Sequence, residues 1–375
     1  MGMRPFEISF SAEMISDLRL RIARTRWPEL PFHVGWARGT DDATLRGLAS
    51  YWLEGYDVAA IQERLNRLHH LRGPIDGEDL HCVVYQGRGD RRLPLLLLHG
   101  WPGSFVEFLS AAELLRSPAD GIGFDLVVPS LPGFAFSAPS REPGMDGGRI
   151  ARRLHRLMQE LGYERYGVQG GDWGAFIGTA LALQQPTAVI GLHLNLIPIP
   201  ERLIAPEGET PSAAERDYLR FWDSWSHQNS GYDHLQSTRP HTLSYAQHDS
   251  PVGLLAWLLE KLWAWSDHGE DLWETLDRDQ VLTNVMLYWL PGRALTAASI
   301  YYEMEHSGYG FLAGRVEVPT GYARFPKEPW SPPPDMVQRK WNLVHYTEQP
   351  RGGHFAAMEQ PALFASDVSA FFSSL

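Results

Sequence analysis

Apolar residues along this chain change their spacing three times, and each change predicts a different kind of structure. From about residue 4 to 75 they recur at helical intervals, over Ala12 to Thr25, Asp42 to Leu53 and Val58 to Leu68. Trp27-Pro28 and Gly35-Trp36 interrupt the pattern, so residues 1–75 read as an N-terminal segment that wraps over other structure. From His81 onward the apolar residues form short continuous runs instead: His81 to Tyr85, Leu93 to Leu98, Phe124 to Pro129, Tyr166 to Gln169 and Ile190 to Leu196. Helical stretches at Ser104 to Leu115 and Gly148 to Leu161 alternate with them. Continuous apolar strands separated by helices predict an α/β fold with a mostly parallel sheet covered on both faces. Strand signals then vanish into helical, tryptophan-rich sequence from about residue 200 to 307, and return at Arg315 to Thr320 and Asn342 to Tyr346. The chain therefore divides into a wrap (1–75), a first core part (76–199), a helical insertion (200–307) and a second core part (308–375). An insertion at the carboxyl edge of such a sheet covers the ligand crevice as a lid.

Composition narrows the partners. With 375 residues, 44% hydrophobic and 21% charged, the chain has the balance of an ordinary globular protein. A formal charge of -12 argues against nucleic acid and anionic membranes, both of which reward clustered Lys and Arg. Cys82 is the only cysteine, which excludes an intramolecular disulfide and a zinc site of cysteine type. No run approaches the roughly 18 apolar residues of a membrane span, and the first residues lack the apolar core of a signal peptide, so a cytoplasmic location without a membrane anchor is expected. Only Lys261, Lys327 and Lys340 among the 33 basic residues are lysines, a bias that favours a bacterial source. The sequence calls for no cofactor and no metal. A small molecule and water are the expected partners, and homo-oligomerisation is compatible with the chain.

The chemistry starts at Gly170-Gly171-Asp172-Trp173-Gly174, between the strand-like Tyr166 to Gln169 and the apolar helix from Ala175. A strand-to-helix corner with small residues around it aims one side chain outward, and in α/β-hydrolases that side chain is the nucleophile. An aspartate at a helix start also serves as an ordinary N-cap, so this segment alone leaves both readings open. His99-Gly100-Trp101-Pro102-Gly103-Ser104 follows another buried strand. The backbone N–H groups of Trp101 and Trp173 would form an oxyanion hole, with His99 as a structural hydrogen bonder. His354, in the glycine turn Arg351-Gly352-Gly353-His354-Phe355 after the last strand, is the candidate base. Glu328, after the preceding strand, is the acid that would orient it. The order nucleophile, acid, histidine is that of the α/β-hydrolases.

Nearly the whole chain resembles the epoxide hydrolases of the microsomal type. The resemblance rests on Arg4-Pro5-Phe6, Arg26-Trp27-Pro28, Tyr51-Trp52, Ile75-Asp76-Gly77, His99 to Ser104, Gly171 to Gly174 and Arg351 to Phe355. It implies an α/β-hydrolase core embraced by an N-terminal meander, and two lid tyrosines pointed at the epoxide oxygen. Tyr232, ahead of Gln236 to Pro240, looks like the first of these; Tyr302, next to Tyr301, looks like the second. The membrane anchor of the animal relatives is missing, which implies a soluble member, and Val58 stands where relatives often carry tryptophan.

These residue types suit an epoxide, which offers no carbonyl to a serine but can be opened in line by a carboxylate. Asp172 would attack a ring carbon, Tyr232 and Tyr302 would supply a proton to the ring oxygen, and water activated by His354 and Glu328 would hydrolyse the resulting ester to a vicinal diol. Two other readings stand beside this one. A haloalkane dehalogenase shares an Asp nucleophile followed by tryptophan, though the two tyrosines and the wrap favour the epoxide. A non-catalytic binding protein could also be built on such a fold. The abundant tryptophans suggest an apolar, even aromatic, substrate.

Overall fold

Side-chain caps start the N-terminal helices where the sequence predicts them. Ser11 accepts from the Met14 N–H at the head of α1 (Ala12–Ala23), Asp41 from Thr44 at α2 (Asp42–Glu54), and Asp57 from Ala59 and Ala60 at α3 (Val58–Asn66). The computed structural model describes residues 2–117, 121–198 and 210–375. The expected start of the helical insertion at residue 200 lies outside these.

Among the described residues nine strands form one sheet: β1 (Arg4–Pro5), β2 (His69–Ile75), β3 (Glu78–Tyr85), β4 (Arg92–Leu98), β5 (Gly123–Pro129), β6 (Tyr166–Gly170), β7 (Val189–Leu194), β8 (Val316–Arg324) and β9 (Trp341–Glu348). Their spatial order is β1-β2-β3-β5-β4-β6-β7-β8-β9. Pairing is antiparallel from β1 to β5 and parallel from β5 through β4 to β9. Leu95, Leu96, Leu97 and Leu98 of the central β4 are all fully buried, as a strand covered on both faces requires. The sequence pattern misses β1 and β2. In β2 the apolar Leu71 and Ile75 are separated by Arg72, Gly73 and Pro74, and its partner on one side is only the two-residue β1, so it carries no apolar run.

Between the strands run α4 (Leu109–Arg116), α5 (Gly147–Glu160) and α6 (Trp173–Gln184). Between β7 and β8 the chain forms α7 (Ala213–Asn229), α8 (Gly231–Thr238), α9 (Pro240–Asp249), α10 (Pro251–Trp265), α11 (Arg278–Trp289) and α12 (Ala294–Ser307). Then come α13 (Pro334–Gln338), α14 (Ala356–Glu359) and α15 (Pro361–Ser373). The N-terminal segment packs on the helical block: Trp36 stacks on Trp263 with centroids 4.6 Å apart, Thr40 Oγ1 donates to the Ala256 carbonyl, and Tyr51 Oη donates to Asp279. Among the described residues no helix is long and apolar enough to cross a membrane.

Candidate active site

Asp172 sits where β6 turns into α6, with φ +48° and ψ −133°, a conformation that costs an L-residue energy and persists only where packing enforces it. Two close approaches enforce it here. A Cβ on Gly174 would lie 2.1 Å from the Leu98 carbonyl oxygen, and one on Gly100 would lie 1.9 Å from Asp172 Oδ1. Asp172 makes no side-chain cap bond to α6, so the N-cap reading falls. Its carboxylate turns instead to the strand β4 corner and to the late histidine.

Oδ1 accepts the Trp101 backbone N–H at 2.7 Å, and Oδ2 lies 3.2 Å from His354 Nε2. His354 Nδ1 lies 2.8 Å from Glu328 Oε2, while Glu328 Oε1 accepts the Trp330 N–H at 2.9 Å. Glu328 and His354 are buried. Burial pulls the imidazole pKa down, but the Glu328 charge and the bonds to Asp172 and Glu328 outweigh it and hold His354 well above its ordinary value. Trp173 opens α6, so its N–H belongs to the first turn, whose N–H groups have no intrahelical acceptor. His99 is buried, turns Nδ1 to the Gly100 carbonyl at 3.0 Å and accepts the Leu131 N–H at Nε2; burial lowers its pKa to about 4. It is a neutral brace for the corner.

The glycine turn that carries His354 is anchored on both sides. Glu359 Oε2 accepts the N–H of Gly353 and of Asp267, its Oε1 accepts that of Phe355, Asp267 Oδ2 accepts that of Gly352, and the His354 N–H donates to the Trp265 carbonyl. Glu359 therefore ties the histidine turn to the segment that follows α10, a role with no local sequence signal.

One expected residue is corrected. Tyr302 lies on the outer face of α12, 37% exposed, and stacks on His306. Tyr301 is the buried one. Its ring meets Trp101 and Trp173 edge-on at 5.6 and 4.8 Å, and the Tyr232 ring edge-on at 5.8 Å. The reason is helical phase, because Ala294, Ala297, Ala298, Tyr301 and Met304 form the buried face. Tyr232 is buried as expected, its ring parallel to Trp101 at 5.5 Å and edge-on to Trp265 at 5.1 Å. Burial, then nearby carboxylates including Asp172, raise Tyr232 well above the usual phenol value. Burial, Tyr232 and Asp172 do the same for Tyr301. Both are protonated donors near neutrality.

Behind Asp172 and His354 lies a cavity of about 20 Å³, lined also by Trp101, Glu107, Gln169 and Asn195. One water needs about 10–15 Å³ and two or more polar partners. Gln169 Nε2 donates to Asn195 Oδ1 at 2.8 Å, while Gln169 Oε1, fully buried, has no partner among the described residues. Burial pushes Glu107 up to about 8, the Asp172 charge adding to that and His354 opposing it. The sequence pattern gave no hint of Glu107, a single carboxyl inside the apolar stretch Phe105 to Phe108. Among the described residues no group of His, Cys, Asp and Glu is arranged to hold a metal ion.

Comparison with known proteins bears on this arrangement directly. A family model described as "Epoxide hydrolase N terminus" matches residues 3–108, and one described as "alpha/beta hydrolase fold" matches residues 94–217. A bacterial chain from Stigmatella aurantiaca, named provisionally as an epoxide hydrolase, is 39% identical over 100% of this chain and 86% of its own length. Epoxide hydrolase 1 of Oryctolagus cuniculus is 37% identical over 99% of this chain and 88% of its own. The crystal structure of juvenile hormone epoxide hydrolase from Bombyx mori superposes with a TM-score of 0.91 at 33% identity, covering 99% of this chain and 94% of that one. The fold is that of the α/β-hydrolases.

Proposed function

This chain belongs to the epoxide hydrolase family and is a hydrolase of epoxides, and from that premise we propose that it converts an apolar epoxide to a vicinal diol through an ester on Asp172. The observation that carries this reading is a carboxylate, held by the Trp101 N–H and His354, in a site where two buried tyrosines, Tyr232 and Tyr301, pack edge-on to each other against Trp101. Asp172 attacks a ring carbon in line, the carbon–oxygen bond breaks, and the ring oxygen takes a proton from the Tyr232–Tyr301 pair, leaving a phenolate. General acid assistance of this kind contributes about 10²- to 10⁴-fold.

Esterification removes the Asp172 charge, and with it part of what keeps the His354 imidazole protonated. The histidine thus becomes a base when a base is needed. Water in the small cavity attacks the ester carbonyl carbon and gives a proton to His354 Nε2, while Glu328 stabilises the imidazolium. The N–H groups of Trp101 and Trp173 hold the tetrahedral oxyanion, each worth about 2.7–4 kcal/mol in comparable sites. Collapse releases the Asp172 carboxylate and the diol, whose leaving oxygen takes the second proton of the water, while the proton that His354 gave up on esterification goes to the phenolate.

In the same proposal the helices α7 to α12 act as a lid carrying Tyr232 and Tyr301, residues 1–75 brace it, and the enzyme works in the cytoplasm. Trp101, Trp173 and Trp265 around the tyrosines favour an apolar epoxide. Mass spectrometry of intact His354→Ala treated with styrene oxide tests the reading. A species heavier by the whole epoxide, located on Asp172, is expected. Absence of any adduct across a broad epoxide panel, together with halide release from haloalkanes, would turn the assignment toward a dehalogenase.

A further inference from the structure

Helix α10 is almost wholly apolar, yet it buries a lysine. Lys261 is 7% exposed, on a helix whose other buried residues include Leu255, Leu258, Leu259, Leu262 and Trp265, and it is one of three lysines in the chain. Buried lysines are rare unless something specific compensates the charge. Here Lys261 is ion-paired with Glu260, and its Nζ lies over the Tyr232 ring, 4.6 Å from the centroid, and 5.9 Å from that of Trp265. Residues 261 and 265 are one helical turn apart, so α10 presents the ammonium and the indole to Tyr232 together.

That placement bears on the reaction proposed above, on which this inference rests. Burial first, then the charges of Asp233, Asp172 and Glu328, disfavour ionisation of the Tyr232 hydroxyl. A tyrosine so placed keeps its proton well but gives it up reluctantly. We propose that Lys261 is a positioning residue for ring opening, its ammonium held against the Tyr232 ring to stabilise the negative charge that Tyr232 acquires as its proton passes to the epoxide oxygen. A cation over an aromatic face is attracted by the ring's quadrupole, and the attraction grows when the ring becomes a phenolate. Lys261 takes no part in the proton transfer: the bond that breaks is ring carbon to oxygen, its electron pair goes to the oxygen, and the proton that follows comes from Tyr232.

The test measures ester formation separately from ester hydrolysis. In a His354→Ala background, where the ester accumulates, rapid quench and mass spectrometry give the rate of ester formation for Lys261→Met and Lys261→Arg. With styrene oxide the Met variant should be slower by about tenfold, and Arg should recover most of that loss because it keeps the charge. The loss should shrink for an epoxide carrying a trifluoromethyl group beside the ring oxygen, whose alkoxide is less basic and needs less acid assistance. With His354 intact, ester hydrolysis should slow less than ester formation. Equal rates for the parent and the Met variant overturn the proposal, as does an equal loss in Met and Arg that is the same for both epoxides, which is the mark of packing alone. No ester in the His354→Ala parent would instead overturn the reaction itself.

Discussion

Among the described residues two carboxylate–histidine clusters stand in contrast, one around Asp367 and one around Asp172. On α15, Asp367 uses both oxygens fully: His193 Nε2 and His345 Nε2 lie 3.0 and 3.1 Å from Oδ1, while Thr347 Oγ1 and Gln349 Nε2 donate to Oδ2. Burial alone would raise this carboxyl, but the bonds from His193 and Thr347 and the histidine charges lower it to about 2. No strained φ is recorded at Asp367, and it does not line the small cavity. Asp172 shares its oxygens between one backbone N–H and one imidazole, at a φ of +48°, beside space for a water. The same residue types make a rivet where both carboxylate oxygens take two partners each, and the proposed nucleophile where the backbone is strained and room is left beside the carboxylate.

The largest effect that could break this comparison comes from substituting each aspartate in turn. Asp172→Asn should lose about 10⁴-fold or more in kcat, with a thermal midpoint that stays level or rises. Asp367→Asn should keep most of its turnover and lose about 3–5 kcal/mol of stability in urea unfolding, since it leaves buried donors facing an amide. If Asp367→Asn cost activity without stability, the two clusters would not divide as described.

The two adjacent tyrosines sharpen the contrast at one remove. Tyr301→Phe should slow turnover by about 10²-fold. Tyr302→Phe, on the solvent side of α12, should change neither rate nor stability beyond about 0.5 kcal/mol. Steady-state rates on one epoxide decide between them.

A smaller effect should appear in acid. The Asp367 pKa is depressed by folding, so its stabilising contribution is present above the unfolded value of about 4 and is lost as pH falls through about 2. Urea midpoints of the protein and of Asp367→Asn should therefore draw together as the pH is lowered from about 4 to about 2. A constant gap over that window would assign the Asp367 contribution to packing rather than to ionisation.

Much of this architecture was legible because continuous apolar strands and glycine corners are local signals. Leu95 to Leu98, Gly170 to Gly174 and the turn Arg351 to Phe355 each carry their own punctuation, and the structure brings together Trp101, Asp172 and His354 from these segments with Glu328, which was read from its place after the preceding strand. What escaped was long-range or a matter of phase. Strand β2 has no apolar run to read. Choosing Tyr301 over Tyr302 needed the period of α12, which Ala294, Ala297, Ala298 and Met304 already contained. Glu107, Lys261 and Glu359 gain their roles from residues far along the chain, and no spacing in the sequence announces that.

The central claim is that the Asp172 carboxylate is esterified and that water then attacks the ester carbon rather than the epoxide. A single turnover in ¹⁸O-water, with enzyme in excess, tests it most directly. The first diol should be unlabelled, and the heavy oxygen should be found in the peptide containing Asp172. Heavy oxygen in that first diol, with none in the peptide, would contradict it.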